Sequence, residues 1–189
     1  MIQLRSLDIQ GFLESQEHAH IVLIYEEPTT GHNIELNFIK EGLEKEQVCL
    51  YITNDVDLTK TNMEKTGIDV DQFEEKNILH ILKIPETFSK YKKNILEIVN
   101  DVEKYGKEIR VVSTHNFDFS INDNVNSMIE IEQKIDDVFS KIPGNMICSF
   151  SLDRMGQSQS KKFITKLLDS HHGVMFLRKA GTPKWFSLP

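Results

Sequence analysis

The feature that most constrains this chain is a regular alternation of short apolar, β-branched runs with longer stretches whose apolar residues recur at helical spacing. The series opens with His20-Ile21-Val22-Leu23-Ile24-Tyr25. Pro28-Thr29-Thr30-Gly31 follows as a turn, then a helical stretch carrying Ile34, Phe38, Ile39 and Leu43. Val48 to Thr53 reads as a second strand, with Asp57 or Thr59 as cap of a short helix that stops near Gly67. Asn77 to Ile84 is a third strand ended by Pro85. Beyond it Phe88, Tyr91, Ile95, Ile98, Val102 and Tyr105 share one helical face before Gly106. Ile109 to Ser113 is a fourth strand, and Thr114 to Asn124 a polar connection. Met128, Ile131, Ile135, Val138 and Ile142 line the next helix, which Pro143-Gly144 ends. Met146 to Leu152 is a fifth strand and Ser160 to Ser170 a helix. Val174 to Arg178 and Lys184 to Leu188 close the chain as a hairpin around Ala180-Gly181-Thr182-Pro183.

Strands that alternate with helices pair in parallel, because each crossover helix returns the chain to the same edge of the sheet. The expected architecture is therefore a three-layer α/β/α fold with a mostly parallel central sheet of at least five parallel strands and a C-terminal antiparallel hairpin. Ile21 to Tyr25, apolar on both faces, belongs inside that sheet. With 189 residues and 39% hydrophobic content, the chain supports one core, read as a single domain over residues 1–189.

Several function classes fall away on composition. Met1 to Gln10 mixes Arg5 and Asp8 with apolar residues, unlike a signal peptide, and no apolar run approaches the ~20 residues of a membrane span. A cytoplasmic protein with no membrane partner is expected. Cys49 and Cys148 each sit in an apolar run and read as reduced core thiols. The net charge of −7 disfavours direct nucleic-acid binding, since nothing sequence-wide attracts phosphate.

Ligands of open parallel sheets bind at the carboxyl ends of the strands, which directs attention to Glu26–Asn33, Asn54–Asp57, Ser113–Asp118 and Asp153–Gln159. The first segment stands where a phosphate loop would. Such a loop needs glycines to curl its amides around phosphate, a Lys to neutralise charge and a hydroxyl to hold magnesium. Only Gly31 fits. Glu26 replaces the first glycine, His32 the lysine and Asn33 the hydroxyl, and two carboxylates would repel a triphosphate. Arg110-Val111-Val112-Ser113 also ends in serine where a magnesium-binding aspartate would stand, so ATP hydrolysis by the usual mechanism is not expected.

The segment His20 to Asp55, with Pro28-Thr29-Thr30-Gly31, Phe38, Glu41-Gly42-Leu43 and Cys49-Leu50-Tyr51-Ile52, resembles RecA/KaiC-type ATPases, and more closely the MEDS domain, a methanogen/methylotroph sensory domain also found in a dichloromethane-responsive repressor. The match runs on through Asn62 to Val70, Ile129-Glu130-Ile131-Glu132 and Ile147-Cys148-Ser149-Phe150. This resemblance implies a RecA-like fold with a degenerate phosphate loop, an archaeal or bacterial setting and signal input rather than catalysis. Family members are often fused to DNA-binding or kinase outputs.

On these grounds the chain is expected to be a non-catalytic sensory domain. It would bind a small molecule or a downstream signalling protein at the carboxyl edge, with homo-oligomer formation as another outlet, and with no cofactor and no metal. The rival readings are a nucleotide binder without hydrolysis, holding its ligand on the amides of Thr29 to Asn33, and a structural interaction module. The candidate ligand-binding residues are Glu26, Thr29, Thr30, Gly31, His32, Asn33, His115, Asn116, Asp118 and Arg154. Glu26, Thr30, His32, Asn33, His115 and Asp118 are expected to line one cleft, because loops after neighbouring strands converge. Arg154 and the hydroxyls near it would suit an anion, with Ser158 or Ser160 as an ordinary helix cap instead. His18 and His20, two apart on a strand, could share a metal but have no third ligand nearby in sequence. His171-His172 reads first as a helix end, and Trp185 with Phe186 as core packing before partner contact.

Overall fold

The computed structural model describes residues 18–84, Lys90, Lys93, 108–115, 122–139, 143–152, 157–178 and 184–187. In chain order the elements are β1 (His18–Tyr25), α1 (Pro28–Glu44), β2 (Val48–Thr53), α2 (Val56–Lys65), α3 (Val70–Glu75), β3 (Leu79–Lys83), β4 (Ile109–His115), α4 (Asn122–Phe139), β5 (Gly144–Ser151), α5 (Gln157–Asp169), β6 (Gly173–Leu177) and β7 (Lys184–Ser187). The expected helix through Phe88 to Tyr105, and Asn116, Asp118 and Arg154, lie outside the described residues. So do the side chains of Trp185 and Phe186.

Seven strands form one sheet in the order β3-β2-β4-β5-β1-β6-β7. The first six run parallel and β7 returns antiparallel to β6. Strand side chains point alternately to opposite faces, so each run feeds two cores. Ala19, Ile21, Leu23 and Tyr25 of β1 pack with Leu36, Phe38, Ile39 and Leu43 of α1. Val22 and Ile24 pack on the other face with Met128, Ile131 and Ile135 of α4 and Phe163 and Leu167 of α5. Full burial of each such aliphatic or aromatic side chain contributes about 1.5–3 kcal/mol. β1 lies between β5 and β6, inside the sheet as its doubly apolar character requires. No helix among the described residues is long and apolar enough to cross a membrane.

Four local details depart from the sequence reading, and α3 is a short helix that it did not contain. The Pro28-Thr29-Thr30-Gly31 turn is the first turn of α1, which begins at Pro28 and leaves only Glu26 and Glu27 between strand and helix. Proline suits that first position, where its fixed φ is helical and a missing N–H costs nothing. Asp55, not Asp57 or Thr59, caps α2, its side chain accepting from Leu58 N. β4 continues past Ser113 to His115, and Ser158 and Ser160 lie within α5 rather than ahead of it.

Candidate functional site

At the carboxyl ends of β2 and β4, under the start of α1, lies a cavity of about 80 Å3. Its polar lining comes from His32, Tyr51, Thr53, Asp55, Thr59, Asn62 and Thr114. Thr59 turns inward from α2 to donate to Thr53 Oγ1 at 3.1 Å or to the Asp55 carbonyl at 2.8 Å. Thr114 donates to Ile52 O at 3.1 Å. Behind this lining is Glu35, a fully buried carboxylate. Its Oε2 accepts from Tyr51 OH at 2.5 Å and lies 2.8 Å from His32 Nδ1, while Oε1 has no hydrogen-bond partner among the described residues.

A carboxylate without water demands charged or strongly donating neighbours, and His32 supplies one. The hydrogen bond to Glu35 raises the His32 pKa above its ordinary 6.5, with burial opposing and charge attraction adding to the rise. Burial first, then Glu35, pushes the Tyr51 phenol well above its usual range, so it remains a donor. A folded-state pKa above the unfolded one means that the His32–Glu35 pair stabilises fully below pH ~6.5 and fades as pH rises through the folded pKa. An NMR titration of the His32 ring is expected to give a midpoint above 6.5, and Glu35→Gln is expected to bring it back toward ~6.5. A wild-type midpoint at or below the ordinary value would show that the pair does not form.

Of the residues expected to share a cleft, this cavity contains His32. Thr29, Thr30 and Asn33 are exposed on α1. Glu26 is half-buried beside Arg178, at 3.6 Å. Gly31 is buried because a Cβ there would meet the Tyr25 ring at 2.5 Å, so it serves packing between helix and strand. His115 does not join His32: it is the last residue of β4 and points to the opposite face, stacked on Phe150 with ring centroids 4.5 Å apart. The expected single cleft therefore does not form as drawn. β5 separates β1 from β4, and strand alternation sends Thr114 to one face and His115 to the other. Convergence of the first helix with the end of β4 does occur, through Thr114.

The face that receives His115 holds a second polar cluster. His20 of β1, Glu132 of α4, Cys148 of β5 and His171 after α5 each present one donor atom, and all four atoms lie within 4.8 Å of one another. His20 Nε2 is 3.3 Å from Cys148 Sγ and 3.6 Å from Glu132 Oε2, and His171 Nε2 is 3.4 Å from that same oxygen. His115 Nε2 approaches Glu132 Oε1 at 3.4 Å. All five residues are buried. Burial, then the neighbouring His171, lowers His20 to about 4. Burial likewise lowers His115 to about 4 against the pull of Glu132. Burial alone would raise Glu132, but the imidazoles, His171 first, outweigh it and hold it at about 2. Burial, then Glu132, pushes the Cys148 thiol well above its usual range.

The sequence reading had held His20 as a weak metal candidate with His18, His171 as a helix end and Cys148 as a core thiol. The helix-end role stands, since His171 Nδ1 lies 2.7 Å from Leu167 O. Glu132 was missed as a site residue. The available signal was a lone carboxylate amid the apolar spacing of Met128, Ile131 and Ile135.

A parallel sheet with helices on both faces and a helix starting over its carboxyl edge places the chain among RecA-like α/β proteins. A KaiC-like protein from the hyperthermophilic archaeon Pyrococcus horikoshii shares the fold with a TM-score of 0.62, covering 97% of this chain and 86% of that one at 15% sequence identity. No curated protein matches in sequence. The family described as MEDS, the methanogen/methylotroph, DcmR sensory domain, matches residues 19–172. The chain belongs to the MEDS family of sensory domains.

Proposed function

We propose that this chain is a signal-input domain that reads a small hydrogen-bonding molecule in the cavity bounded by His32, Tyr51, Thr53, Asp55, Thr59 and Thr114, without hydrolysing ATP. The observation that carries the reading is Glu35, fully buried behind His32 and Tyr51 with one oxygen unpartnered among the described residues. Such a carboxylate costs stability unless it holds something in place. Here it fixes an imidazole and a phenol beside a cavity whose own wall is hydroxyl-rich. At about 80 Å3 the space is a fraction of the ~300–1,000 Å3 of drug-sized ligand sites. It suits a molecule of a few heavy atoms bearing hydroxyl or carbonyl oxygen.

Several observations support the non-catalytic half of the reading. Only Glu26 and Glu27 separate β1 from α1, which leaves no loop to wrap a triphosphate. The Thr30 and Gly31 amides already donate to Glu27 O, both at 3.2 Å, so they are committed to the helix. Signal output then passes to a partner protein or to a second copy of the chain.

Thermal-shift measurements against short alcohols, aldehydes and carboxylates and against ATP, ADP and GTP test this reading. A true ligand at about a hundred times its Kd adds about 2.7 kcal/mol, or roughly 5–10 °C in a chain of this size. The shift is expected from a small oxygenated molecule, is expected to vanish in His32→Ala, and is expected to be absent with nucleotides. Magnesium-dependent ATP turnover should stay at background. A nucleotide shift, or turnover that is lost in His32→Ala, would overturn the proposal.

A further inference from the structure

We propose that His20, Glu132, Cys148 and His171 bind one divalent transition-metal ion, zinc by the chemistry of the donor set. This site lies on the opposite face of the sheet from the cavity and is argued independently of it.

The spacing is the first argument. Zinc bonds of about 2.0–2.1 Å to nitrogen or oxygen and ~2.3 Å to sulfur, arranged tetrahedrally, put neighbouring donors about 3.3–3.6 Å apart. Three of the six separations are 3.3 Å from His20 Nε2 to Cys148 Sγ, 3.6 Å from His20 Nε2 to Glu132 Oε2 and 3.4 Å from His171 Nε2 to Glu132 Oε2, and all four atoms lie within 4.8 Å of one another. Nitrogen–oxygen hydrogen bonds at their usual length of about 2.7–3.2 Å would draw the two imidazoles closer to Glu132.

The second argument is the direction of the lone pairs. His171 Nδ1 is 2.7 Å from a backbone carbonyl, Leu167 O, which can only accept, so the ring proton sits on Nδ1. Its Nε2 lone pair then faces the carboxylate of Glu132. His20 Nδ1 likewise meets Asp136 Oδ1 at 3.3 Å, which aims its Nε2 lone pair at the same point. Among the described residues His171 Nε2 and both oxygens of Glu132 have no hydrogen-bond partner. The Cys148 S–H can satisfy one of these acceptors, and the rest repel in a dry interior unless a further proton or a metal cation sits between them.

The outer contacts match those that orient metal ligands. A carboxylate backs His20 and a backbone carbonyl backs His171, while His115 Nε2 lies 3.4 Å from the second oxygen of Glu132. Two imidazoles, one thiolate and one carboxylate make a borderline-soft, four-coordinate set that favours zinc over magnesium or calcium. On binding, the Cys148 S–H bond breaks, the thiolate bonds the metal and the proton leaves to solvent. Two ligand charges then balance the dication, which suits a buried site. All four protein ligands come from different elements, so the metal would tie β1, α4, β5 and the end of α5 together. Cys49 is the internal contrast: its Sγ lies 3.6 and 3.7 Å from the carbonyls of Ile39 and Gln47, on the other face and beside Arg110 rather than among imidazoles.

The test is cobalt titration of chelator-stripped, folded protein. About one Co2+ per chain is expected, with the visible bands of a tetrahedral site and a near-ultraviolet thiolate charge-transfer band, both displaced by Zn2+. Cys148→Ser is expected to lose the charge-transfer band and weaken binding about 10–100-fold, while Cys49→Ser leaves the spectrum unchanged. Folding of each variant is checked by circular dichroism, and the wild-type spectrum is decisive even if Cys148→Ser does not fold. Absence of a thiolate band in the folded wild type, or its persistence in Cys148→Ser, would overturn the assignment.

Discussion

Gly144→Ala is expected to destabilise the protein by about 3–5 kcal/mol, lowering the melting temperature by on the order of 10 °C. Gly144 opens β5 with φ +149, a conformation that side-chain-bearing residues rarely adopt. A Cβ built there would stand 2.0 Å from Ile109 O and 2.7 Å from Ile109 N. Both obstacles are backbone atoms of β4, and Gly144 is registered against Ile109 on one side and His18 on the other. Neither neighbour can move without shearing the middle of the sheet, so strain and overpacking add. Gly67 supplies the control: its φ is +82, but a Cβ would meet only Lys40 Nζ, at 3.6 Å. Gly67→Ala should therefore cost about 1 kcal/mol. Calorimetric or circular-dichroism melts decide the matter. Equal melting temperatures for the two variants would refute the close-approach argument.

Arg110→Ala is expected to cost about 3–5 kcal/mol in urea unfolding, and Arg110→Met roughly half as much. Arg110 leaves β4 on the α1 side and is 3% exposed. Its Nε donates to Gln47 Oε1 at 2.6 Å, and its Nη1 donates to Phe38 O at 2.9 Å and meets Glu41 Oε2 at 3.3 Å. The guanidinium also lies over the Phe38 ring, 4.9 Å from its centroid. Alanine would leave those acceptors without their donor and open a cavity between helix and sheet. Methionine would refill much of the volume without restoring the hydrogen bonds. Gly42 belongs to the same arrangement, because a Cβ there would meet Arg110 Cδ at 2.6 Å. A loss below about 1 kcal/mol for Arg110→Ala would show that α1 is held by its apolar face alone.

Much of the architecture was legible because strand and helix patterns are local. Ile21 to Tyr25 is apolar at every step, which only an interior strand tolerates, and the apolar face through Met128, Ile131 and Ile135 has one helical period. The start of α1 was less legible, since Pro28-Thr29-Thr30-Gly31 satisfies both turn chemistry and a helix opening with proline at its first position. Packing of Gly31 against Tyr25 decides between them.

The sequence by itself determined the number and order of the strands, every helix described here except the short α3, the three-layer class, the closing hairpin and membership of a sensory family. Each rests on spacing within a dozen residues or on motifs in their order along the chain. Tertiary structure alone decided the sheet order, with β5 inserted between β1 and β4, and so separated His115 from His32 while bringing Thr114 to it. It alone gathered His20, Glu132, Cys148 and His171 from four elements. The physical reason is that no local spacing encodes which strands become neighbours. That choice follows from how amphipathic helices cover a twisted sheet, and strand parity then sends adjacent residues to opposite faces.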